Sequence, residues 1–158
     1  MSPTATDLLS FFDETRFIPS VRARTKSGVL KELAGVLADD EEIRHADVLL
    51  EALEAREKLG STGIGKEVAI PHSRTLSVPH LKALVARSKK GIPWDSPDGK
   101  PVKIIFLVVA PPQERTNRYL PLLGGLVSAM QKKKGRDGIL NAKSFDELEA
   151  VLEEAFRG

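Results

Sequence analysis

The stretch R-E-K-L-G-S-T-G-I-G-K-E-V-A-I-P-H-S-R, residues 56–74, organises the rest of the chain. Its first residues predict the end of a helix. The glycines that follow permit a positive φ and the close approach of another group. These glycines are Gly60, Gly63 and Gly65. Val68-Ala69-Ile70 then predicts a short buried strand, and Pro71 ends it because proline cannot donate to a sheet ladder. Helix, turn and strand in close succession favour an α/β protein.

His72 follows this strand at its carboxyl end, where α/β proteins tend to bind ligands. A neutral imidazole at such a position suits a nucleophile that takes up a phosphoryl group. One ring nitrogen attacks while the other donates a hydrogen bond that fixes the tautomer. The incoming group also needs cations and hydrogen-bond donors, since phosphoryl transfer depends mostly on positioning and electrostatic stabilisation. The residues of the stretch that could supply them are Arg56, Arg74, Ser61, Thr62 and Ser73.

Without further information, an ordinary surface histidine is the better interpretation of His72. Most glycine loops serve only as turns, and this one lacks the ending of a P-loop and the spacing of a dinucleotide site. His72 and His80 have no cysteine or third histidine nearby, so their spacing argues against a metal site. We therefore expect neither a metal nor a cofactor.

The composition is that of a soluble globular protein, with 41% hydrophobic and 29% charged residues among 158. We expect one domain over residues 1–158. The longest apolar run, Ile104 to Ala110, is too short to cross a membrane, and no secretory leader is evident, so we expect a cytoplasmic protein without membrane insertion. The absence of cysteine excludes disulfides and cysteine nucleophiles.

One basic cluster, Lys132 to Arg136, raises the alternative of nucleic-acid binding. A single short cluster with few aromatic residues and no recognised motif is poor support for it. A solvated helix end, where cations favour the macrodipole, explains the cluster better. We expect no nucleic-acid partner.

The hydrophobic pattern predicts a layered α/β sandwich. Helices are expected at residues 25–38, 46–59 and 118–133, and from the capping box at Ser144 onward. Strands are expected at 68–70, 81–88 and 102–110, with an edge strand at 17–18, and residues 73–79 are expected to form a loop. Trp94 is expected to pack over the edge of the core.

The motif G-S-T-G-I-G-x-x-V-A-I-P-H, preceded by Arg56-Glu57, resembles the active-site signature of fructose/mannitol-type enzyme IIA domains of the bacterial phosphotransferase system. Nitrogen-regulatory IIA proteins belong to the same family. The resemblance extends over about residues 7–156 and includes Gly91-Ile92-Pro93-Trp94, Pro101-Val102, Ala110-Pro111 and Ala142-Lys143-Ser144. It implies a single-domain sandwich in which a mixed β-sheet is flanked by helices.

The resemblance also implies a function. His72 would accept a phosphoryl group through Nε2 from phosphorylated HPr or its nitrogen-branch counterpart, with Arg56 near the phosphohistidine. Transport-linked members pass the group to a cysteine of a IIB protein. The chain resembles more closely the regulatory branch, whose phosphorylation state controls partner proteins.

One position departs from the family pattern. A second histidine usually opens the helix after the central strand, in a His-Leu-x-x-Leu context, and here Tyr119 occupies that place. A phenol can donate one hydrogen bond to a phosphoryl oxygen but is not cationic at neutral pH. We expect slower transfer to His72 or a less stabilised phosphohistidine. The alternatives are that Tyr119 only covers the apolar stripe of its helix, that His80 substitutes, or that the protein regulates partners by docking without phosphotransfer.

Overall fold

The computed structural model describes residues 2–158. The helices are α1 (Ala5–Leu9), α2 (Lys26–Ala38), α3 (Ala46–Leu59), α4 (Tyr119–Met130), α5 (Lys133–Asn141) and α6 (Phe145–Arg157), with a 3-10 turn at Glu14–Arg16. The strands are β1 (Phe17–Ile18), β2 (Gly63–Gly65), β3 (Val68–Ala69), β4 (His72–Arg74), β5 (Lys82–Ile92) and β6 (Val102–Ala110). In this part of the chain, no helix is long and apolar enough to cross a membrane.

Strand β6 lies at the centre of one mixed sheet. Its neighbour on one side is β5, which is antiparallel to it and carries β1 at the outer edge. On the other side β3 and β4 follow one another along β6, both parallel to it, and β2 lies outside β3. The predicted mixed sheet flanked by helices is therefore confirmed.

Successive residues of β6 face two separate cores, because side chains alternate across a strand. Ile104, Phe106 and Val108 pack against the layer formed by α1, α4, α5 and α6. Ile105 and Leu107 pack on the opposite side against α2 and α3. A strand covered on both faces reads as a continuous apolar run, which explains the sequence of β6.

The predicted helix over residues 118–133 is wrong at its carboxyl end. Helix α4 ends at Met130, and a separate helix α5 begins at Lys133. Helix α5 has no strong apolar repeat, since it holds two glycines and few apolar residues. Gly138 has a packing role there, because a Cβ at this position would lie 2.6 Å from a methyl carbon of Val151 in α6.

Three further expectations need correction around the quoted stretch. Residues 63–65 form a short strand, β2, although a turn was expected. The residues after His72 were predicted as loop, whereas Ser73 and Arg74 continue strand β4. Strand β3 ends at Ala69, one residue before the predicted end and two before Pro71. The carbonyl oxygen of Pro71 accepts a hydrogen bond of 3.0 Å from the N–H of Val108. His72 therefore stands at the start of a strand anchored on the central β6.

Candidate phosphoryl-acceptor site

His72 is held in one tautomer by the backbone. Its Nδ1 lies 2.7 Å from the carbonyl oxygen of Ile70. A carbonyl oxygen can only accept, so Nδ1 carries the proton and Nε2 keeps its lone pair. The side chain is half-buried and follows Pro71, which fixes φ before it. The geometry presents Nε2 as a nucleophile on a rigid strand.

The pKa of His72 is held below its ordinary value of 6.5. Burial is the largest cause, because it disfavours the charged imidazolium. The hydrogen bond to Ile70 acts in the opposite direction, the positive charge of Arg56 lowers the pKa, and the negative charge of Glu57 raises it. The net effect keeps the imidazole neutral at pH 7, as nucleophilic attack requires.

Arg56 lies in the last turn of α3 and is half-buried. Its Nη1 donates a hydrogen bond of 2.8 Å to the carbonyl oxygen of Gly60, the residue that ends the helix. Its charge acts on both His72 and Tyr119, lowering the pKa of each. The structure thus brings together three of the residues that the sequence singled out.

The Thr62 hydroxyl is buried in a hydrogen-bond network. It donates to the carboxylate of Glu57, and the backbone N–H of Thr62 donates to the same carboxylate at 3.2 Å. The Nε1–H of Trp94 donates to the Thr62 hydroxyl at 3.1 Å. Because the hydroxyl proton is already bonded, this arrangement holds the loop in place. A direct contact between Thr62 and a phosphoryl oxygen stays a prediction.

Two residues of this network were not assigned a role from the sequence. The carboxylate of Glu57, whose side chain is 6% exposed, also forms an ion pair with the ammonium of Lys26 in α2 at 3.0 Å. The Lys26 ammonium lies 5.6 Å from the ring centroid of Trp94. Trp94 is only 1% exposed, which confirms its predicted packing role. Ser61 donates to the carbonyl oxygen of Trp94 at 2.6 Å. The one available signal was the position of Glu57 beside Arg56 within the quoted motif.

Tyr119 is the first residue of α4 and is only 7% exposed. The guanidinium of Arg74 lies 4.7 Å from the centroid of its ring. The pKa of Tyr119 is raised, chiefly by burial, against the lowering effect of Arg74 and Arg56. The phenol is therefore uncharged at neutral pH, and the charges of both arginines act on it.

The structure places the remaining candidates, His80 and Ser73, in different surroundings. His80 contacts Glu42 at 3.4 Å with an exposed side chain, close to the start of β5. Because β5 and β4 flank β6 on opposite sides, they are about 10 Å apart, two interstrand spacings. The Ser73 hydroxyl makes only a long hydrogen bond of 3.5 Å to the carbonyl oxygen of Arg74.

Within residues 2–158, no group of three or more His, Asp or Glu side chains is placed to hold a metal ion.

A neutral histidine with a free Nε2 stands at the start of β4, the charge of Arg56 acts on it, and Arg74 follows two residues later in the same strand. Such an arrangement is suited to accepting an anionic group. The family model described as "Phosphoenolpyruvate-dependent sugar phosphotransferase system, EIIA 2" matches residues 10–155. The chain belongs to this family, which confirms the resemblance drawn from its motif. Phosphotransfer is the general activity of the family.

Curated relatives include both transport and regulatory proteins. The fructose-specific EIIA component of Haloferax volcanii is 32% identical over 130 residues, which are 82% of this chain and 84% of that protein. The nitrogen regulatory protein of Pseudomonas aeruginosa is 29% identical over 143 residues, which are 90% and 92%. The fructose-specific EIIABC component of Bacillus subtilis is 30% identical over 133 residues, and this chain spans only 21% of its length.

Solved structures confirm the fold. The nitrogen regulatory protein IIA-Ntr of Neisseria meningitidis superposes with a TM-score of 0.85 at 30% identity, covering 92% of this chain and 98% of that one. The IIA mannitol protein of Escherichia coli superposes with a TM-score of 0.74 at 17% identity, covering 89% and 98%. The second likeness supports the fold alone.

Proposed function

We propose that this protein is a phosphocarrier in which Nε2 of His72 accepts a phosphoryl group from the phosphohistidine of an HPr-type protein or its nitrogen-branch counterpart. The observation that carries the proposal is the hydrogen bond from Nδ1 to the carbonyl oxygen of Ile70, 2.7 Å long, which leaves the Nε2 lone pair free to attack. Membership of the EIIA 2 family supports the same class of reaction.

In the transfer step, the Nε2 lone pair of His72 forms a bond to phosphorus while the nitrogen–phosphorus bond of the donor breaks. The electron pair of the broken bond stays on the donor's imidazole nitrogen. The Nδ1 proton remains on His72 in its hydrogen bond to Ile70. Arg56 offsets negative charge on the phosphoryl oxygens, because a guanidinium is permanently charged and forms forked hydrogen bonds.

The proposed role in the cytoplasm is regulatory, with phosphorylation of His72 controlling the binding of target proteins. The support is the alignment with the nitrogen regulatory protein of Pseudomonas aeruginosa over 92% of its length and the superposition on IIA-Ntr of Neisseria meningitidis. A separate IIB protein is the alternative recipient of the group, since the Escherichia coli IIA mannitol protein has been solved in complex with phosphorylated IIB mannitol.

The proposal is tested by intact-mass spectrometry after incubation with phosphoenolpyruvate, enzyme I and a cognate HPr-type donor. Wild type should gain one acid-labile phosphoryl group, and His72→Ala should gain none. His80→Ala is the matched control, because it removes a histidine whose ring contacts Glu42 away from the site. This variant should be phosphorylated like wild type.

If wild type gains no phosphoryl group from a donor shown to be active, the phosphocarrier proposal is wrong. The runner-up function, a docking module that controls partners without phosphotransfer, then takes its place. Phosphorylation that persists in His72→Ala would instead show that another residue is the acceptor.

A further inference from the structure

Arg74, two residues after the acceptor histidine in β4, lies over the aromatic ring of Tyr119. Its guanidinium carbon lies 4.7 Å from the ring centroid of Tyr119, within the range of a cation–π contact. Arg74 itself is exposed, whereas Tyr119 is 7% exposed and is fixed in the core at the start of α4. The buried ring therefore restrains a side chain that would otherwise move freely in solvent.

The strand geometry directs Arg74 to the same side as His72. The two residues are the first and last of β4, separated by Ser73, and side chains two apart on a strand project from the same face. Their Cα atoms are about 7 Å apart at the usual rise of a strand. A guanidinium on a long, flexible stem spans this distance to a group bound at Nε2.

Arg74 has no competing carboxylate partner in the part of the chain that the structure describes. Among residues 2–158, no carboxylate lies within ion-pair distance of it. Glu114, the carboxylate that lines the same surface pocket, accepts hydrogen bonds from the backbone N–H groups of Asn117 and Arg118 at 2.8 and 3.1 Å. The guanidinium thus keeps N–H groups available for an anion.

We propose that Arg74 binds the phosphoryl group during transfer to His72, and that Tyr119 is a positioning residue that holds Arg74 through its ring rather than through its hydroxyl. This inference rests on the proposed function. A planar guanidinium matches phosphoryl oxygens with two parallel hydrogen bonds and stacks on aromatic faces. The stacking orders Arg74 before the donor arrives, which lowers the entropy lost on binding.

Phosphoramidate, a small molecule with a phosphorus–nitrogen bond, separates the chemistry of the site from the recognition of a protein donor. The Nε2 lone pair of His72 attacks phosphorus, the phosphorus–nitrogen bond breaks, and its electron pair leaves on nitrogen, which takes a proton from water and departs as ammonia. Initial rates are measured by intact mass over a range of phosphoramidate concentrations, and again with the HPr-type donor.

The variants separate the effects of the Tyr119 ring, the Tyr119 hydroxyl and the Arg74 charge on the rate of phosphorylation of His72. Arg74→Met should slow phosphorylation of His72 about 10- to 100-fold, since removing one preorganised donor has effects of this order or larger. Arg74→Lys should recover part of the loss, because it keeps the charge without the planar fork. Tyr119→Phe keeps the ring and should remain within about twofold of wild type, whereas Tyr119→Leu should slow the reaction about 3- to 10-fold.

The double variant Arg74→Met/Tyr119→Leu tests whether the ring acts through Arg74. It should be no slower than Arg74→Met alone, because two residues that act as a unit are non-additive. Arg115→Met is the matched control, since it removes one exposed arginine from the loop before α4. It should react like wild type. Far-ultraviolet circular dichroism checks that each variant is folded; Arg74 is exposed, so its variants test the charge even if Tyr119→Leu unfolds.

The inference is overturned if Arg74→Met reacts like Arg115→Met, or if Tyr119→Phe is as slow as Tyr119→Leu, which would assign the effect to the hydroxyl. A different result would count against the phosphocarrier proposal. If phosphoramidate modifies His72 with the expected dependence on Arg74 but an active HPr-type donor does not, the acceptor geometry stands and the donor assignment is wrong. If neither donor modifies His72, both proposals fail.

Discussion

Nδ1 of His72 lies 2.7 Å from the carbonyl oxygen of Ile70, two residues earlier in the chain. The residue between them, Pro71, accepts a hydrogen bond through its own carbonyl oxygen from the N–H of Val108 in the central strand. The break between β3 and β4 is therefore tied to β6 while it also fixes the ring of His72. The tautomer of the candidate nucleophile follows from backbone geometry and needs no side-chain partner.

The depressed pKa of His72 predicts a pH dependence of stability. An unfolded histidine binds its proton below about pH 6.5, whereas in the folded state burial delays protonation to a lower pH. Between these two values the unfolded chain binds more protons, so the free energy of unfolding falls as the pH falls. His72→Gln removes this dependence. Wild type should therefore lose stability relative to the variant as the pH drops through 6.5, measured by urea unfolding at a series of pH values.

A direct titration checks the same point. The imidazole C2 proton of His72, followed by NMR, should titrate with a midpoint below 6.5. A midpoint at or above that value, or a stability difference that does not change with pH, would contradict the proposed environment of the ring.

Glu57 should both support the loop and tune His72. Its carboxylate accepts from the backbone N–H of Thr62 at 3.2 Å and from Lys26 at 3.0 Å. Glu57→Gln keeps the shape but removes the charge, so we expect a loss of about 1–3 kcal/mol in the free energy of unfolding. The pKa of His72 should fall further, since the negative charge of Glu57 raises it.

The control for this variant is Glu51→Gln, an exposed position on the same helix. It should leave both the stability and the His72 titration unchanged, as measured by urea unfolding and NMR. A purely structural role for Glu57 would lower stability in Glu57→Gln without moving the titration midpoint of His72.

Much of the fold could be predicted because local signals agreed with tertiary packing. The apolar run of β6 predicted a strand covered on both faces, and nearly all of its residues are buried. Half of the capping box expected at Ser144 formed, because its hydroxyl accepts from the N–H of Glu147 at 3.2 Å. The Glu147 carboxylate accepts from the N–H of Lys143 instead of the N–H of Ser144. His72 could be singled out because Arg56, the glycine-rich residues and the strand before the histidine lie in one continuous stretch of sequence.

The rest depended on contacts between distant segments. Lys26 and Glu57 are 31 residues apart, and Trp94 donates to Thr62 across 32 residues, so no local pattern indicated this network. The contact of Arg74 with Tyr119 likewise joins β4 to α4. Helix α5 was missed because its packing on α6 relies on glycine, which sequence propensity counts against a helix.

Arg87 joins the edge of the sheet to the end of α5. Its Nη1 donates to the carbonyl oxygens of Ile139, Leu140 and Ala142 at 2.9, 3.2 and 2.7 Å. The guanidinium also lies 4.9 Å from the ring centroid of Phe17 in β1. The three carbonyls lack intrahelical partners at the carboxyl end of a helix. Arg87 thereby satisfies acceptors that partial burial would leave unpaired.

Arg87→Met should lower the free energy of unfolding by about 2–3 kcal/mol, since hydrogen bonds from a charged donor are lost together. Arg87→Lys should recover little, because an ammonium cannot span three carbonyls with a planar fork. Urea unfolding measures both, with Lys89→Met, at an exposed position of the same strand, as the control. Equal stabilities of Arg87→Met and the control would show that the helix end does not depend on this arginine.

Two helical glycines should respond to alanine in opposite directions. A Cβ at Gly138 would meet a methyl carbon of Val151 at 2.6 Å, so the α5–α6 contact would have to open. Gly138→Ala should therefore lower the free energy of unfolding by about 1–3 kcal/mol, the usual effect of overpacking. At Gly35 in α2 a Cβ meets nothing within 4 Å. Gly35→Ala should raise stability by about 0.5–1 kcal/mol, because alanine is the better helix former.

Urea unfolding at pH 7.5 measures both variants against wild type. Since the two substitutions add the same methyl group to helices, their difference isolates the packing at Val151 from helix propensity. Val151→Ala makes room at the contact, so Gly138→Ala should destabilise the protein less in that background than in wild type. If Gly138→Ala instead stabilised the protein as much as Gly35→Ala, the close approach of α5 and α6 would not require glycine, and another cause would be needed for its presence in a helix of only nine residues.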